Sequence, residues 1–217
     1  MKKFISHLCF LFAGLLPGVA AAAEPNAPDA LIRDVTNEVL EVVRTDTAVR
    51  SGDIRRVVEL AEALVLPHFD FRRMTMLAVG RDWRDASPEQ QARLIEAFRT
   101  LLVRTYANAL TQYRDERVVF PPSRFAAADT RVQIRTEVVS PGAQPIGIDY
   151  MLEKGEKGWK VFDVVVAGVS LVTNYRSSFS QEVRNGGIDG LIRALESRNN
   201  ALATEQGLAP AGAGGGS

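Results

Sequence analysis

Apolar residues recur at helical spacing through the first third of the chain. They repeat every three to four positions over 29–44 and again over 53–66, where Asp53 is a residue type favoured at helix N-caps. The run FDFRRMTMLAV over 69–79 has the same spacing and is followed by Gly80, a common helix stop. The pattern therefore predicts three helical segments before residue 80.

A strong helix-start signal follows at Ser87, Pro88 and Gln90. Serine at the N-cap and glutamine three positions later form a capping box, and proline is favoured at the first helical position. The apolar residues behind this signal keep the three-to-four spacing as far as about Arg114. This predicts one long helix against which a sheet can pack.

After Asp115 the period of the pattern changes to two, which is typical of strands. The turn sequences SPGAQP and EKGEKG separate the last three of these segments. Short turns between successive strands favour an antiparallel meander. Strands are predicted over 118–120, 131–139, 146–153 and 159–167.

The segment VFDVVVAGVSLVTNY, at 161–175, joins the last strand to further helices. Gly168 allows a sharp turn and Ser170 can cap a helix. Apolar spacing predicts a helix from Leu171 to a stop at 185–187, and a short final helix over 189–198. The fold class predicted is α+β, an antiparallel meander sheet of about four strands covered on one face by helices.

The N-terminus has the three parts of a secretory signal peptide. A short positive region, an interrupted apolar stretch and the small residues AAA precede Glu24, so we expect residues 1–23 to be removed. Cys9, the only cysteine, lies in this segment, and the exported chain is therefore expected to carry neither a disulfide nor a lipid anchor. Residues 24–206 are predicted to form a single domain, and 207–217, rich in glycine and alanine, a disordered tail.

Charge and candidate chemistry exclude several classes of function. The signal contains two of the 26 Lys and Arg residues, which leaves 24 against 26 Asp and Glu and argues against nucleic acid as a partner. His68 is the only histidine after the signal, so a zinc site of the usual His and Cys kind lacks ligands and no metal site is expected. The sequence has no Gly-x-Ser-x-Gly nucleophile motif and no phosphate-binding loop before a helix. Serine hydrolases and nucleotide hydrolases are therefore not favoured.

Two alternatives stay open. Asp149 and Asp163 lie on neighbouring predicted strands, and a carboxylate in apolar surroundings can serve as the general base of an isomerase-like enzyme. The alternation around Asp149 nevertheless predicts that it points away from the helices. A chaperone that binds unfolded chains in a shallow cavity is the other alternative.

Four segments, taken in order, resemble a known family: LVLPHFDFRRMTMLAVGRDW, ASPEQQARLIEAFRTLLVRTYANAL, WKVFDVVVAGVSLVTNYRSSF and GGIDGLIRAL. They resemble the MlaC or toluene-tolerance family of periplasmic phospholipid-binding proteins, over about residues 31–197. The resemblance implies a carrier without catalytic activity or cofactor in the periplasm of a Gram-negative bacterium. Its partners would be a diacyl phospholipid, an inner-membrane ABC transporter complex with MCE domains and an outer-membrane lipoprotein–porin complex, and its role would be to maintain outer-membrane lipid asymmetry.

The resemblance also implies an apolar cavity deep enough for both acyl chains. A two-chain lipid hides roughly 30 methylenes, each worth about 0.8 kcal/mol, so shielding part of one chain is not enough. The walls are expected to come from the sheet face and the helices that cover it. The lipid-binding residues predicted on this basis are Leu77, Val79, Leu101, Tyr106, Leu110, Tyr113, Ile134, Ile148, Tyr150, Val164, Val166, Val169, Leu171 and Tyr175.

Overall fold

The structure is a computed structural model in which residues 27–111 and 116–208 are described. The predicted signal peptide over 1–23 lies outside these ranges, as do Tyr113 and the tail from residue 209 onward. Within the described ranges, no helix combines the length and the apolar character that a membrane span needs.

The helices predicted from the spacing before the sheet are present, with one local difference. The segment predicted as a helix over 53–66 leaves the α-helical form after Leu60 and continues as the π-helical turn Ala61–Val65 and the 3-10 turn Leu66–His68. Pro67 gives the physical reason, because it has no N–H to donate to a regular helix and its ring crowds the preceding turn. The α-helices are α1 (Pro28–Thr45), α2 (Thr47–Arg50), α3 (Ile54–Leu60), α4 (Phe71–Val79), α5 (Pro88–Thr111) and α6 (Arg176–Glu205).

Local hydrogen bonds fix the start of α5 as predicted. The Ser87 hydroxyl accepts from the Gln90 backbone N–H at 3.2 Å, and the Gln90 side-chain oxygen accepts from the Ser87 N–H at 3.0 Å. This reciprocal pair is the capping box. At the end of α4, Gly80 has φ of +73°, a conformation that ordinary side chains rarely adopt.

The sheet is an antiparallel meander in which sequential strands are neighbours, in the order β1-β2-β3-β4-β5. Four strands match the prediction within one or two residues, and a fifth short strand adds to them. Residues 131–137 of β2 alternate strictly between exposed and buried, so one face is covered by the helices and the other meets solvent. The predicted fold class is confirmed. The strands are β1 (Arg117–Val119), β2 (Arg131–Val139), β3 (Ile146–Gly155), β4 (Gly158–Val166) and β5 (Val169–Ser170).

The junction after β4 differs from the prediction of a helix beginning at Leu171. Ala167 and Gly168 have φ of +50° and +84°, and the chain turns back on itself so that β5 pairs with the end of β4. Positive φ at both central residues suits the twist of a two-residue hairpin. A 3-10 turn over Thr173–Tyr175 follows, and the α-helix begins only at Arg176.

The predicted break at 185–187 is a kink within α6. Gly186 and Gly187 have non-helical dihedral angles, and φ of Gly187 is +66°. Helical structure resumes behind them and reaches Glu205, seven residues beyond the predicted end near Arg198. The glycine pair therefore breaks the helix at the predicted stop, and α6 consists of two helical segments on either side of it.

The two larger clusters of buried residues are a helical core and a sheet core, joined at one seam. The helical core gathers around Phe98 of α5, and the sheet core around Ile134. Phe69 packs against both cores and forms a parallel bridge with Val161 of β4. The helices therefore contact the sheet firmly along this seam and leave space beside it.

Candidate functional site

An apolar pocket lies beside the seam, between the helices and the end of β4. Its empty volume is about 700 Å³, which includes the space open to solvent at its mouth. Of its lining side chains only that of Tyr106 carries a polar atom, so the pocket suits hydrocarbon. We call it the front pocket, and its lining residues are Ala61, Val65, Leu66, Phe69, Phe71, Met74, Leu102, Val103, Tyr106, Ala107, Val164 and Leu171.

Helix α5 supplies one wall through four residues on one face. Leu102, Val103, Tyr106 and Ala107 lie at spacings of one, three and four, which places them side by side on an α-helix. On the sheet side, Val164 of β4 and Leu171 after β5 line the pocket. Sheet and helix therefore face each other across the pocket.

Phe69 and Phe71 form the aromatic end of the pocket. Their rings stack with centroids 5.9 Å apart. The backbone N–H of Asp70, between them, donates to the Val161 carbonyl at 2.8 Å, and the Asp70 carboxylate caps α4 by accepting from the Arg73 N–H at 2.9 Å. This short segment is thus fixed to the sheet on one side and to a helix on the other.

Tyr106 lines the front pocket and is 38% exposed, so it lies at the mouth of the pocket. Burial raises the pKa of its phenol, and the neighbouring Tyr175 hydroxyl, with which it shares a hydrogen bond, raises the pKa further. Tyr175 in turn packs edge-to-face on Phe98 at 5.2 Å. The mouth therefore presents the Tyr106 hydroxyl above an apolar interior.

A buried carboxylate holds the wall residue Leu171 in place. Asp163 accepts a hydrogen bond of 2.6 Å from the Ser170 hydroxyl and one of 3.2 Å from the Val172 N–H. The Ser170 hydroxyl accepts in turn from the Thr173 N–H at 2.9 Å, although the residue at the N-cap of the 3-10 turn is Val172 and not Ser170 as the sequence predicts. Leu171 also donates its own N–H to the Val164 carbonyl at 2.8 Å, which ties two wall residues together.

Neither carboxylate considered as a general base lines the pocket. Both carboxylate oxygens of Asp163 accept hydrogen bonds within the β4–β5 hairpin region, from the Ser170 hydroxyl and the Val172 N–H. Asp149 accepts from the Gln133 side chain at 2.8 Å and lies 3.6 Å from the Arg135 guanidinium. Gln133 and Arg135 are exposed residues of β2, so Asp149 belongs to the solvent face, as its alternation predicts.

Three of the predicted lipid-binding residues, Tyr106, Val164 and Leu171, come together in the front pocket. A second group packs in or against the helical core, where α4, α5 and α6 meet. This group contains Leu77, Val79, Leu101 and Tyr175.

A third group packs in or against the sheet core, outside the front-pocket lining. It contains Ile134, Ile148, Tyr150 and Val166. Burial raises the pKa of the Tyr150 phenol. Of the remaining predicted residues, Val169 lies on the edge strand β5 with 53% exposure, Leu110 belongs to the last turn of α5, and Tyr113 falls outside the described residues.

Most of the lining comes from residues that the sequence reasoning did not select. Two consecutive stretches account for six of them, at 61–66 and 69–74, on either side of Pro67. The available signal was the apolar character of these stretches, with a proline between them that interrupts regular structure. The residues not selected are Ala61, Val65, Leu66, Phe69, Phe71, Met74, Leu102, Val103 and Ala107.

Comparisons with known proteins agree with the resemblance found in the sequence. The family model described as MlaC protein matches residues 33–197. The solved structure of a phospholipid-binding protein from Ralstonia solanacearum, in complex with a phospholipid, is similar with a TM-score of 0.76 and 38% identity, over 81% of this chain and 98% of that one.

Two curated relatives point the same way. The intermembrane phospholipid transport system binding protein MlaC of Haemophilus influenzae is 24% identical over 199 residues, which is 90% of this chain and 92% of the relative. The toluene tolerance protein ttg2D of Pseudomonas putida is 29% identical over 106 residues, 49% of each chain. On the match over 33–197, this chain belongs to the MlaC family.

Proposed function

We propose that this protein is a phospholipid carrier that shields the acyl chains of a diacyl lipid in the front pocket and leaves the head group at its mouth. The observation that carries the proposal is the apolar lining, in which the only polar side-chain atom, the Tyr106 hydroxyl, belongs to a partly exposed residue. The similar protein from Ralstonia solanacearum, which holds a phospholipid, supports it.

The free-energy cost of exposing acyl chains to water requires a pocket with apolar walls. Removing a two-chain lipid from a bilayer exposes roughly 30 methylenes, at about 0.8 kcal/mol each, unless the carrier covers them. An apolar wall on both sides lets it replace the contacts that the tails make in the membrane.

The proposed setting is the periplasm, between the inner and outer membranes of a Gram-negative bacterium. The signal-like sequence over 1–23 and the name of the Haemophilus influenzae relative, an intermembrane phospholipid transport system binding protein, support this setting. The proposed partners are an inner-membrane MCE-domain ABC transporter complex and an outer-membrane lipoprotein–porin complex. The proposed outcome of the exchange is outer-membrane lipid asymmetry.

The isomerase alternative is less consistent with the site. A general base has to reach the substrate, and the lining of the front pocket contains no carboxylate and no histidine. Asp163, the carboxylate nearest in sequence to a wall residue, has both oxygens occupied by the hairpin. A chaperone that captures extended chains fits no better, because the walls offer no polar side chains except Tyr106 to pair with a peptide backbone.

The test is mass spectrometry of the protein purified from periplasm without detergent, under native conditions and again after organic extraction. A stoichiometric diacyl phospholipid is expected, with mixed head groups because the tails dominate recognition. An empty protein, or one that holds a small ring compound, would contradict the carrier function.

A further inference from the structure

In the described part of the chain, half of one edge of β2 has no strand beside it. β1 pairs with residues 137–139 only. The Thr130 carbonyl accepts from the Lys154 N–H at 2.8 Å, one position before β2 begins to pair with β3. Such hydrogen-bonded positions alternate in an antiparallel pair, so residues 132, 134 and 136 exchange hydrogen bonds with β3. The backbone N–H and C=O groups that point to the open side belong to Arg131, Gln133 and Arg135.

Pro121 explains why the pairing of β1 with β2 stops. Val119, the last residue of β1, stands opposite Glu137. A longer ladder would place Pro121 opposite Arg135 and would need its N–H, which proline lacks. The chain then runs on without regular structure as far as Ala126. The open edge is therefore flanked by a segment that cannot pair with it at this position.

A polar groove lies between this segment and the open edge. Each polar side chain in its lining can donate a hydrogen bond, and the lining contains no carboxylate among the described residues. The groove is therefore suited to negatively charged groups. We call it the edge groove, and its lining residues are Pro122, Ser123, Arg124, Gln133 and Arg135.

A second space continues from the edge groove toward α1, and three residues line both spaces. The Arg33 guanidinium belongs to this second lining and stacks over the Phe120 ring at 4.4 Å. Among the described residues, Asp29 is the only carboxylate in either lining. Three arginines therefore stand against one acidic residue here, in a chain whose overall charge is balanced.

The arginines are available to another molecule. Arg33 and Arg124 are exposed, and neither forms an ion pair with another residue of the described ranges. Arg135 lies 3.6 Å from the Asp149 carboxylate, with 69% of its side chain exposed. Exposed ion pairs contribute little to stability, so Arg135 can exchange its partner at small cost. All three guanidinium groups can therefore bind carboxylates of a partner.

We propose that the edge groove binds an extended, acidic segment of a partner protein, which adds to the sheet as a strand beside β2. Hydrogen bonds to the open backbone groups provide affinity, and the arginines select acidic side chains. The open edge presents C=O groups that need donors as well as N–H groups that need acceptors. A peptide backbone supplies both, whereas a phosphate group supplies acceptors only.

The edge groove is separate from the front pocket. The linings of the edge groove and of the space beside it share no residue with the lining of the front pocket. A partner segment bound beside β2 therefore leaves the front pocket accessible. Docking at this edge is compatible with a loaded and with an empty carrier, and it does not depend on phospholipid binding.

The test uses the purified, ¹⁵N-labelled protein and three synthetic peptides of equal length. The first peptide alternates valine and glutamate, and the second has lysine in place of each glutamate. The third keeps the acidic sequence but has an N-methyl group on every residue, which removes its backbone donors. Amide hydrogen exchange along β2 is measured by NMR without peptide and with each peptide in excess.

We expect the acidic peptide to slow exchange at the Gln133 and Arg135 amides by at least about tenfold, because each N–H gains an acceptor in the added strand. The lysine peptide and the N-methyl peptide should leave this exchange unchanged. The amides of Val132 and Ile134 are the internal control, since they already donate to β3 and should change much less.

Two variants separate the charge from the backbone pairing. Arg124→Glu should weaken binding of the acidic peptide at least about fivefold. Arg55→Glu, the same charge change at an exposed position of α3 outside both linings, is the matched control and should leave binding unchanged. Gln133→Pro removes an N–H from the open edge but none from the ladder with β3, so it should abolish binding. Arg124 lies in a segment without regular structure, so its variant gives a result even if the proline variant does not fold.

Three results would overturn the proposal. The first is unchanged exchange at the open edge with the acidic peptide, and the second is equal protection by the lysine or the N-methyl peptide. Inorganic phosphate and phosphatidylglycerol vesicles are tested in parallel. If either of these slows exchange at the Gln133 and Arg135 amides while the peptide does not, the groove binds phosphate groups and not a partner strand.

Discussion

The Asp163 carboxylate accepts a hydrogen bond of 2.6 Å from the Ser170 hydroxyl, across the hairpin between β4 and β5. Its second oxygen accepts from the Val172 N–H, so a single side chain with 8% exposure holds both neighbours of Leu171. Since Leu171 lines the front pocket, the position of this wall depends on a residue outside the lining. Asp163 is a positioning residue in this arrangement.

Replacing Asp163 by Asn is expected to destabilise the protein and to reduce bound lipid. The amide has only one acceptor oxygen, so a buried donor loses its partner, at a cost of about 1–3 kcal/mol in the free energy of unfolding. Urea unfolding measures the first effect and lipid extraction the second. Asp149→Asn, on the solvent face, is the control and should change both much less. Equal effects of the two substitutions would contradict the role assigned to Asp163.

Leu171→Asp is expected to leave an exportable protein with little lipid. An ionised carboxylate in the apolar wall costs several kcal/mol when a tail covers it, so lipid per protein should fall at least about tenfold. Val169→Asp is the matched control, because Val169 is 53% exposed on the neighbouring edge strand. The lipid content of both purified proteins decides the matter, and loss in both alike would contradict the wall assignment of Leu171.

Ser87→Ala should destabilise the protein without affecting lipid binding. The substitution removes the acceptor for the Gln90 N–H and breaks the capping box of α5, which costs about 1 kcal/mol. Ser177→Ala, at an exposed position in the first turn of α6, should stay within about 0.5 kcal/mol of wild type. Urea midpoints of the three proteins give the comparison, and a Ser87 variant as stable as wild type would show that the cap contributes little.

Asp46 should make the free energy of unfolding depend on pH in the acid range. The hydrogen bond from Arg56, at 2.8 Å, holds the pKa of the Asp46 carboxyl below its ordinary value of 3.8, and backbone donors at the start of α2 lower it further. A carboxyl whose pKa is lowered on folding stabilises the protein above its unfolded pKa and loses that contribution as the pH falls through the folded value. The contribution is therefore present at pH 5 and lost progressively below about 3.8.

Asp46→Asn isolates this effect, because asparagine still caps a helix but cannot form the ion pair. Wild type should be more stable than the variant at pH 5 to 7, and the difference should shrink as the pH falls below 4. Urea midpoints at several pH values test this. A difference that stays constant across the range would contradict the linkage.

The sequence by itself determined the elements whose signals are local. The capping box of Ser87 and Gln90, the stop at Gly80 and the strict alternation of β2 all appear where the pattern predicts them. Each depends on residues within a few positions of one another. Hydrogen bonds to nearby backbone groups and the exposure of alternate side chains do not require a knowledge of distant contacts.

Tertiary structure alone decided which apolar residues line the pocket. Val79 and Leu102 both belong to the helical core, yet only Leu102 also lines the front pocket. The β4–β5 hairpin likewise depends on Asp163, seven residues from Ser170 and fixed on a strand before it can accept the hydroxyl. Periodicity identifies a face that must be buried, and the arrangement of distant elements decides whether that face meets another side chain or an open pocket.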